Sequence, residues 1–243
     1  RSGLGTSSSF AVGMLQAFYA LKGKYVDKKK LADDAIYLER VLCQEAGGWQ
    51  DQIAAAYGGF NRINFYEGGY EVLPVIIAPE RKQQLNQNLM MFFTGFTRMS
   101  AEIQKANHGG QKQSGARLER MHHMVDVAEK ILVSKEKDLD DFGRLLGETW
   151  KLKRETGKAV SNGFIDELYQ KGMDAGALGG KLLGAGGGGF LLFYVQPEHQ
   201  EEVRRAMSGY MYIPFAFENG GTRVIHYSPE TYELPEKEKG AFR

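Results

Sequence analysis

Two glycine-rich stretches hold most of the chemistry that can be read from this chain: Gly3-Leu-Gly-Thr-Ser-Ser-Ser9 and the run GGKLLGAGGGGFLLFYV at residues 179–195. Glycine has no Cβ, so its backbone can approach a ligand closely and adopt positive φ. The first stretch leads into FAVGMLQAFYAL, where Phe10, Met14, Ala17, Phe18 and Leu21 recur at helical spacing. A Gly/Ser/Thr turn at a helix start offers an anion free N–H groups, the positive end of the helix dipole and hydroxyl donors, and it offers a metal a hydroxyl oxygen. Simple capping of the helix by Ser or Thr is the alternative. The Gly-Lys-Ser/Thr of a Walker A loop is absent. The second stretch matches G-x-G-x-x-G at Gly184, Gly186 and Gly189, but a dinucleotide site needs a helix next. FLLFYV has strand composition. The expectation is a strand–glycine–strand loop that meets phosphates or a second domain, and a nicotinamide-dependent oxidoreductase is disfavoured.

Between the two stretches lie Leu38-Glu39-Arg40 and Gly47-Gly-Trp-Gln-Asp51-Gln52. In this order the elements resemble the GHMP kinases (galactokinase, homoserine kinase, mevalonate kinase, phosphomevalonate kinase). Residues 3–9 match the second of three family motifs and Lys181–Gly189 the third, while the first is absent. GGWQDQIAAAYGGFNRINF (47–65), FFTGFTR (92–98) and IPFAFENGG (213–221) are similar to the D-glycero-D-manno-heptose phosphate kinase subgroup. Fucose and galactose kinases share much of the pattern.

The resemblance implies an α+β fold of two domains. These are an incomplete ribosomal protein S5 domain 2-like N-terminal domain over residues 1–80 and a ferredoxin-like α/β C-terminal domain over 81–243. It implies ATP and Mg²⁺ as cofactors. Gly3, Leu4, Gly5, Thr6, Ser7 and Ser8, together with Gly186, Gly187 and Gly188, would surround the nucleotide. Ser7 and Glu39 would hold the metal, and Asp51 would accept or orient the sugar-hydroxyl proton. Trp49, Arg98, Lys153, Arg154 and Lys181 are candidates for the substrate, since a phosphorylated sugar needs cations. Each residue also has an ordinary reading. Glu39 could lie on a solvated helix face, Asp51 could cap the helix that follows it, Trp49 could pack, and the cations could be surface residues.

The activity so implied is transfer of the γ-phosphate to a sugar hydroxyl, foremost O1 of D-glycero-D-manno-heptose 7-phosphate in nucleotide-heptose synthesis. Another sugar kinase of the fucose or galactose type, or a non-catalytic ligand-binding fragment, is the alternative. The expectation is that an N-terminal segment carrying the first motif, or a partner chain, completes the fold.

Composition excludes other classes. Of 243 residues, 42% are apolar and 25% charged, ordinary for a globular protein. A net charge of +1 gives no argument for nucleic acid. The single cysteine, Cys43, excludes a disulfide framework and suits a reducing cytoplasm. Its place on an apolar stripe reads as small core packing. No apolar run approaches membrane-spanning length, and the histidines lack the spacing of a zinc pair, so no structural zinc is expected.

Helices are predicted over 10–22, 28–43 (Leu31, Ala35, Leu38 and Leu42 on one face) and 50–58, then a hairpin over 60–77 turning at Glu67-Gly-Gly69. A domain boundary is placed at 78–86. A strand over 88–95, helices over 97–106, 116–133, 138–154 and 161–175, strands over 179–184 and 189–195, a helix over 197–210 and a strand–turn–strand over 211–227 complete the prediction. The last residues read as solvated and frayed.

Overall fold

The structure is a computed structural model that describes residues 4–95, 115–155, 157, 160–184 and 187–228. The helix expected at 97–106 and the frayed terminus lie outside these residues, as do Gly3, Arg98 and Gly186.

The first part stacks three helices on a hairpin. Helix α1 (Thr6–Leu21) and helix α2 (Lys28–Tyr37) pack with α3 (Gln50–Tyr57). Asp27 starts α2 by accepting the Lys30 N–H at 2.7 Å, a capping interaction that satisfies one orphan donor. Lys29–Asp33 and Lys30–Asp34 pairs one turn apart line its outer face. Strands β1 (Asn61–Tyr66) and β2 (Gly69–Pro74) pair antiparallel, as the turn residues predict. Val12, Leu31, Ala32, Ala35, Ile53, Ala56 and Tyr70 form the core between these layers.

The stripe predicted along residues 28–43 breaks where α2 gives way to a wide π-type turn, Leu38–Leu42, closed by the Cys43 N–H on the Leu38 carbonyl. The extra residue in that turn changes which side chain faces inward. Glu39 is buried, whereas Leu42 and Cys43 are exposed. Cys43 is therefore not a core residue.

The segment expected to be a boundary forms helix α4 (Pro79–Asn88), with proline at its first position. It runs directly into strand β3 (Leu89–Phe93). After it come α5 (Gly115–Val133), α6 (Asp140–Arg154) and α7 (Gly163–Asp174), then the hairpin β4 (Gly179–Leu182) and β5 (Phe190–Tyr194), helix α8 (Gln200–Ala206) and strand β6 (Tyr212–Ile213). The sheet order is β4-β5-β3-β6 with every neighbour antiparallel. That is the split βαβ order of a ferredoxin-like sheet. Trp150, Ile165, Leu168, Leu191, Phe193 and Val203 lie in its core. The helix predicted over 197–210 is shorter, a 3₁₀ turn followed by α8. Of the strand–turn–strand predicted over 211–227 only β6 pairs, because residues after Ile213 leave the sheet and cross to the first part of the chain.

That crossing joins the two parts. Phe60 and Ile77 pack with Leu85, Tyr194, Phe215 and Phe217 in a shared apolar cluster. Gly59 N–H donates to the Glu218 carbonyl, and Thr222 donates through both its N–H and its hydroxyl to the Ala55 carbonyl, each at 2.9 Å. Gly58 has φ 60° and ψ −172°, a region open essentially to glycine alone. A Cβ there would lie 1.9 Å from the Gly221 nitrogen. The GGF and NGG stretches thus interlock backbone against backbone.

Candidate active site

Gly5 precedes α1 with φ 67° and serves as its N-cap residue, with no side-chain capping bond. The serine hydroxyls are used elsewhere. Ser8 Oγ donates to Glu39 Oε2 at 2.8 Å and Ser7 Oγ to Glu39 Oε1 at 3.2 Å. Gln52 Nε2 also donates to Glu39 Oε2. Capping of α1 and a solvated helix face for Glu39 are therefore both set aside: the carboxylate is buried at the start of α1, reached by donors from α1 and α3. Burial of a charge demands such donors. The Arg40 guanidinium stands 3.8 Å from Glu39 and is held by the Gly48 and Glu45 carbonyls. It braces the 44–49 turn while adding positive charge beside the site.

Asp51 lies in the first turn of α3, whose N-cap is Trp49 with no side-chain capping bond. Asp51 is thus not the cap. A Cβ on Gly5 would sit 3.2 Å from its Cγ and 3.5 Å from its Oδ1, so the loop comes close to the carboxylate at a residue whose φ of 67° favours glycine. Surrounding protein raises the Asp51 pKa chiefly by desolvation; the Arg40 charge opposes this and the Glu39 charge adds to it. Trp49 packs partly against the core of the first part.

The oxygen set suits Mg²⁺, which takes hard oxygen ligands and usually only one or two carboxylates alongside phosphate and water. Glu39 Oε2 already accepts from Ser8 and Gln52, whereas Oε1 has the one long contact to Ser7. Oε1 and Ser7 Oγ are the edge that fits the ion. Among the described residues no cluster of three or more His, Cys, Asp or Glu is placed to hold a metal. Gln52 was not among the sequence candidates. Its signal was the position next to Asp51, but its contact with Glu39 spans 13 residues.

The second glycine stretch is pinned to protein. Gly187 N–H donates to the Val160 carbonyl at 3.1 Å, and Gly189 N–H to Thr94 Oγ1 at 3.1 Å. Gly188 lies between them with φ 155°. Lys153 Nζ donates to the Gly184 carbonyl at 2.6 Å. Burial, and then the charge of Lys181, bring the Lys153 pKa down to about 8, and burial also lowers that of Lys181. Arg154 pairs with Asp166 at 2.9 Å and lies 6.0 Å from the Trp150 ring centre, so its guanidinium ties α6 to α7. The predicted residues thus gather in two places. Gly5, Ser7, Ser8, Glu39 and Asp51 meet at the start of α1, and Lys153 and Lys181 meet beside Gly184.

The fold and these sites define a class. The description "GHMP kinases N terminal domain" matches residues 1–59, and "GHMP kinases C terminal" matches residues 128–213. The chain belongs to the GHMP kinase family.

Among individual relatives, the D-glycero-alpha-D-manno-heptose 7-phosphate kinase of Campylobacter jejuni is 32% identical over 229 residues, covering 91% of this chain and 66% of that protein. A bifunctional fucokinase/GDP-fucose pyrophosphorylase of Arabidopsis thaliana is 28% identical, covering 85% of this chain and 20% of that protein. A crystal structure of a D-glycero-D-manno-heptose 1-phosphate kinase from Bacteroides thetaiotaomicron superposes with a TM-score of 0.66 at 28% identity, covering 90% of this chain and 62% of that one. The chain therefore spans just under two thirds of the length of these heptose-phosphate kinases. No helix among the described residues is long and apolar enough to cross a membrane.

Proposed function

We propose that this chain carries the phosphoryl-transfer machinery of an ATP-dependent sugar kinase whose acceptor is O1 of D-glycero-D-manno-heptose 7-phosphate. One observation carries the reading: Ser7 and Ser8 at the start of α1 converge on a buried Glu39, while Asp51 faces Gly5 at the same helix end. Phosphoryl transfer needs charge neutralisation and positioning more than covalent chemistry from the protein. Gly5, Thr6, Ser7 and Ser8 would hold the triphosphate at the positive end of α1, with Leu4 and the 186–188 glycines closing around the nucleotide. Glu39 Oε1 and Ser7 Oγ would hold Mg²⁺, which supplies neutralisation of the phosphate charge when bound.

Asp51 takes the proton. As O1 attacks, its hydrogen passes to an Asp51 oxygen, the O1–Pγ bond forms, and the bond from Pγ to the β–γ bridging oxygen breaks to release ADP. Loss of solvation raises the proton affinity of this carboxylate and makes it a better acceptor. A phosphorylated sugar needs cations, and Lys153, Lys181 and Arg98 would meet it with Trp49 lining the pocket, whereas Arg154 is committed to Asp166. The single cysteine suits a cytoplasmic setting. Likeness to the Campylobacter jejuni heptose 7-phosphate kinase supports this acceptor, and likeness to the Arabidopsis thaliana fucokinase keeps fucose as the comparison sugar.

The test is coupled ADP release with heptose 7-phosphate, fucose and galactose. It is run on this chain alone and on a protein that spans the full length of its relatives. Turnover with heptose 7-phosphate above the other two supports the reading. No ADP release with any sugar in either form overturns it.

A further inference from the structure

Gln52 sits in the first turn of α3 and is fully buried, and two residues that follow it on the same helix, Ile53 and Ala56, belong to the core of the first part. Packing alone would favour an aliphatic side chain at such a position, because a buried amide costs free energy unless both of its ends find partners. Only one end does. Nε2 donates to Glu39 Oε2, while Oε1 is buried with no hydrogen-bond partner among the described residues. The carboxylate dictates this orientation: an ionised carboxylate only accepts, so the amide presents its nitrogen and leaves its oxygen behind.

Glu39 itself needs holding. It stands in the wide turn after α2, and a free carboxylate rotates about its last bond, where the torsion is broad, and exchanges its two oxygens. Oε2 is caught from two sides, by Ser8 of α1 at 2.8 Å and by Gln52 of α3. Oε1 has the 3.2 Å contact to Ser7 Oγ. Successive residues on a helix point about 100° apart. The same turn of α3 thereby brings Asp51 to Gly5 and Gln52 to Glu39.

We propose that Gln52 is a positioning residue for the metal: its amide locks Glu39 Oε2 and so presents Oε1, with Ser7 Oγ, to Mg²⁺. This rests on the kinase reading, which supplies the ion. Gln52 acts through Glu39, and the bond that orients the carboxylate is made at the expense of its own Oε1.

The experiment uses a protein that spans the full length of its relatives, with Mn²⁺ as the probe ion, read by its electron paramagnetic resonance in the presence of a non-hydrolysable ATP analogue. Loss of an outer contact to a metal ligand predicts about 10- to 100-fold weaker Mn²⁺ binding in Gln52→Met. The Mg²⁺ concentration for half-maximal rate should rise alike, with the KM for heptose 7-phosphate within about threefold of the parent. A double-mutant cycle with Glu39→Gln separates positioning from general loosening of the fold. The phosphates of the analogue keep the ion measurable there, and Gln52→Met should have no further effect once the carboxylate is gone. An equal loss in both backgrounds, or unchanged Mn²⁺ binding in Gln52→Met, overturns the proposal. Should Gln52→Met fail to fold, Gln52→Asn gives the answer, since its amide stops one methylene short of the carboxylate: weaker Mn²⁺ binding supports the assignment and unchanged binding overturns it. A parent protein whose Mn²⁺ affinity depends on Gln52 yet phosphorylates no sugar keeps this assignment and discards the kinase reading. An active kinase indifferent to Gln52 does the reverse.

Discussion

Gly58→Ala tests whether the interlock with Gly221 supports α3, the helix that carries Asp51. The alanine would be forced into φ 60°, ψ −172°, at a cost of about 1–3 kcal/mol. Its Cβ would lie 1.9 Å from the Gly221 nitrogen and 2.4 Å from the Gly221 Cα. Neither atom belongs to a flexible side chain, so the two segments must separate by more than an ångström. Separation breaks the Thr222 and Glu218 hydrogen bonds to Ala55 and Gly59, worth about 1 kcal/mol each. Together these give a loss of about 4–6 kcal/mol, which for a chain of this size lowers Tm by roughly 10–20 °C. Because α3 carries Asp51 and Gln52 seven and six residues before Gly58, kcat should also fall while the chain is still folded. Differential scanning calorimetry and steady-state kinetics measure both. Gly68→Ala is the control: φ is +83° at that hairpin turn but nothing lies within 4 Å of the added methyl. It should cost only about 1 kcal/mol. A Gly58→Ala protein that melts within 2 °C of the Gly68→Ala control (~0.5–1 kcal/mol) would refute the reasoning.

Asp51→Asn should reduce kcat by about 100-fold or more and remove the acid limb of the pH–rate profile. In the parent that limb should lie above the ordinary carboxylate range, because the Asp51 pKa is raised. The native state then holds this proton more tightly than the unfolded chain, so stability declines as pH rises through the window between the two pKa values. Asp51→Asn should consequently melt no lower than the parent at pH 7, and a lower Tm would contradict the desolvated carboxylate. Ser8→Ala removes the 2.8 Å donor from a buried carboxylate and should cost about 1.5–3 kcal/mol in chemical denaturation. Ser7→Ala, losing only a 3.2 Å contact at the open oxygen, should cost less than about 1 kcal/mol but raise the Mg²⁺ concentration needed for half-maximal rate. Lys153, with a pKa near 8, should be acetylated with a pH profile that rises through that value, and a profile centred near 10.5, the ordinary lysine value, would remove the basis for its desolvation.

Local pattern made much of this fold legible. Apolar residues three and four apart predicted α1, α5, α6 and α7, because a helix that must bury one face repeats every 3.6 residues. Glu67-Gly-Gly69 announced the β1–β2 hairpin, and the switch from glycines to FLLFYV placed a strand after the loop. The order of the two glycine stretches around Glu39 and Asp51 pointed to the family before any contact was known. The same pattern misread residues 38–43, since a π-type turn changes the facing residue by one and local periodicity contains no signal for it. It also continued α8 past Ala206, where the chain enters turns closed by the Ser208 N–H on the Arg205 carbonyl and the Tyr210 N–H on the Met207 carbonyl, and it continued the final hairpin too far, because residues 214–222 spend hydrogen bonds on another part of the chain.

What sequence determined by itself was the inventory: which segments coil or extend, and which oxygen- and nitrogen-bearing side chains stand in family order. Only tertiary packing decided their use. Ser8 meets Glu39 across 31 residues, and Thr222 meets Ala55 across 167. The same packing ties Lys153 to the Gly184 carbonyl and turns Arg154 toward Asp166. The reason is physical: a backbone preference acts over a few residues, whereas burial of a charge is settled by whichever distant donors the closed core brings within reach.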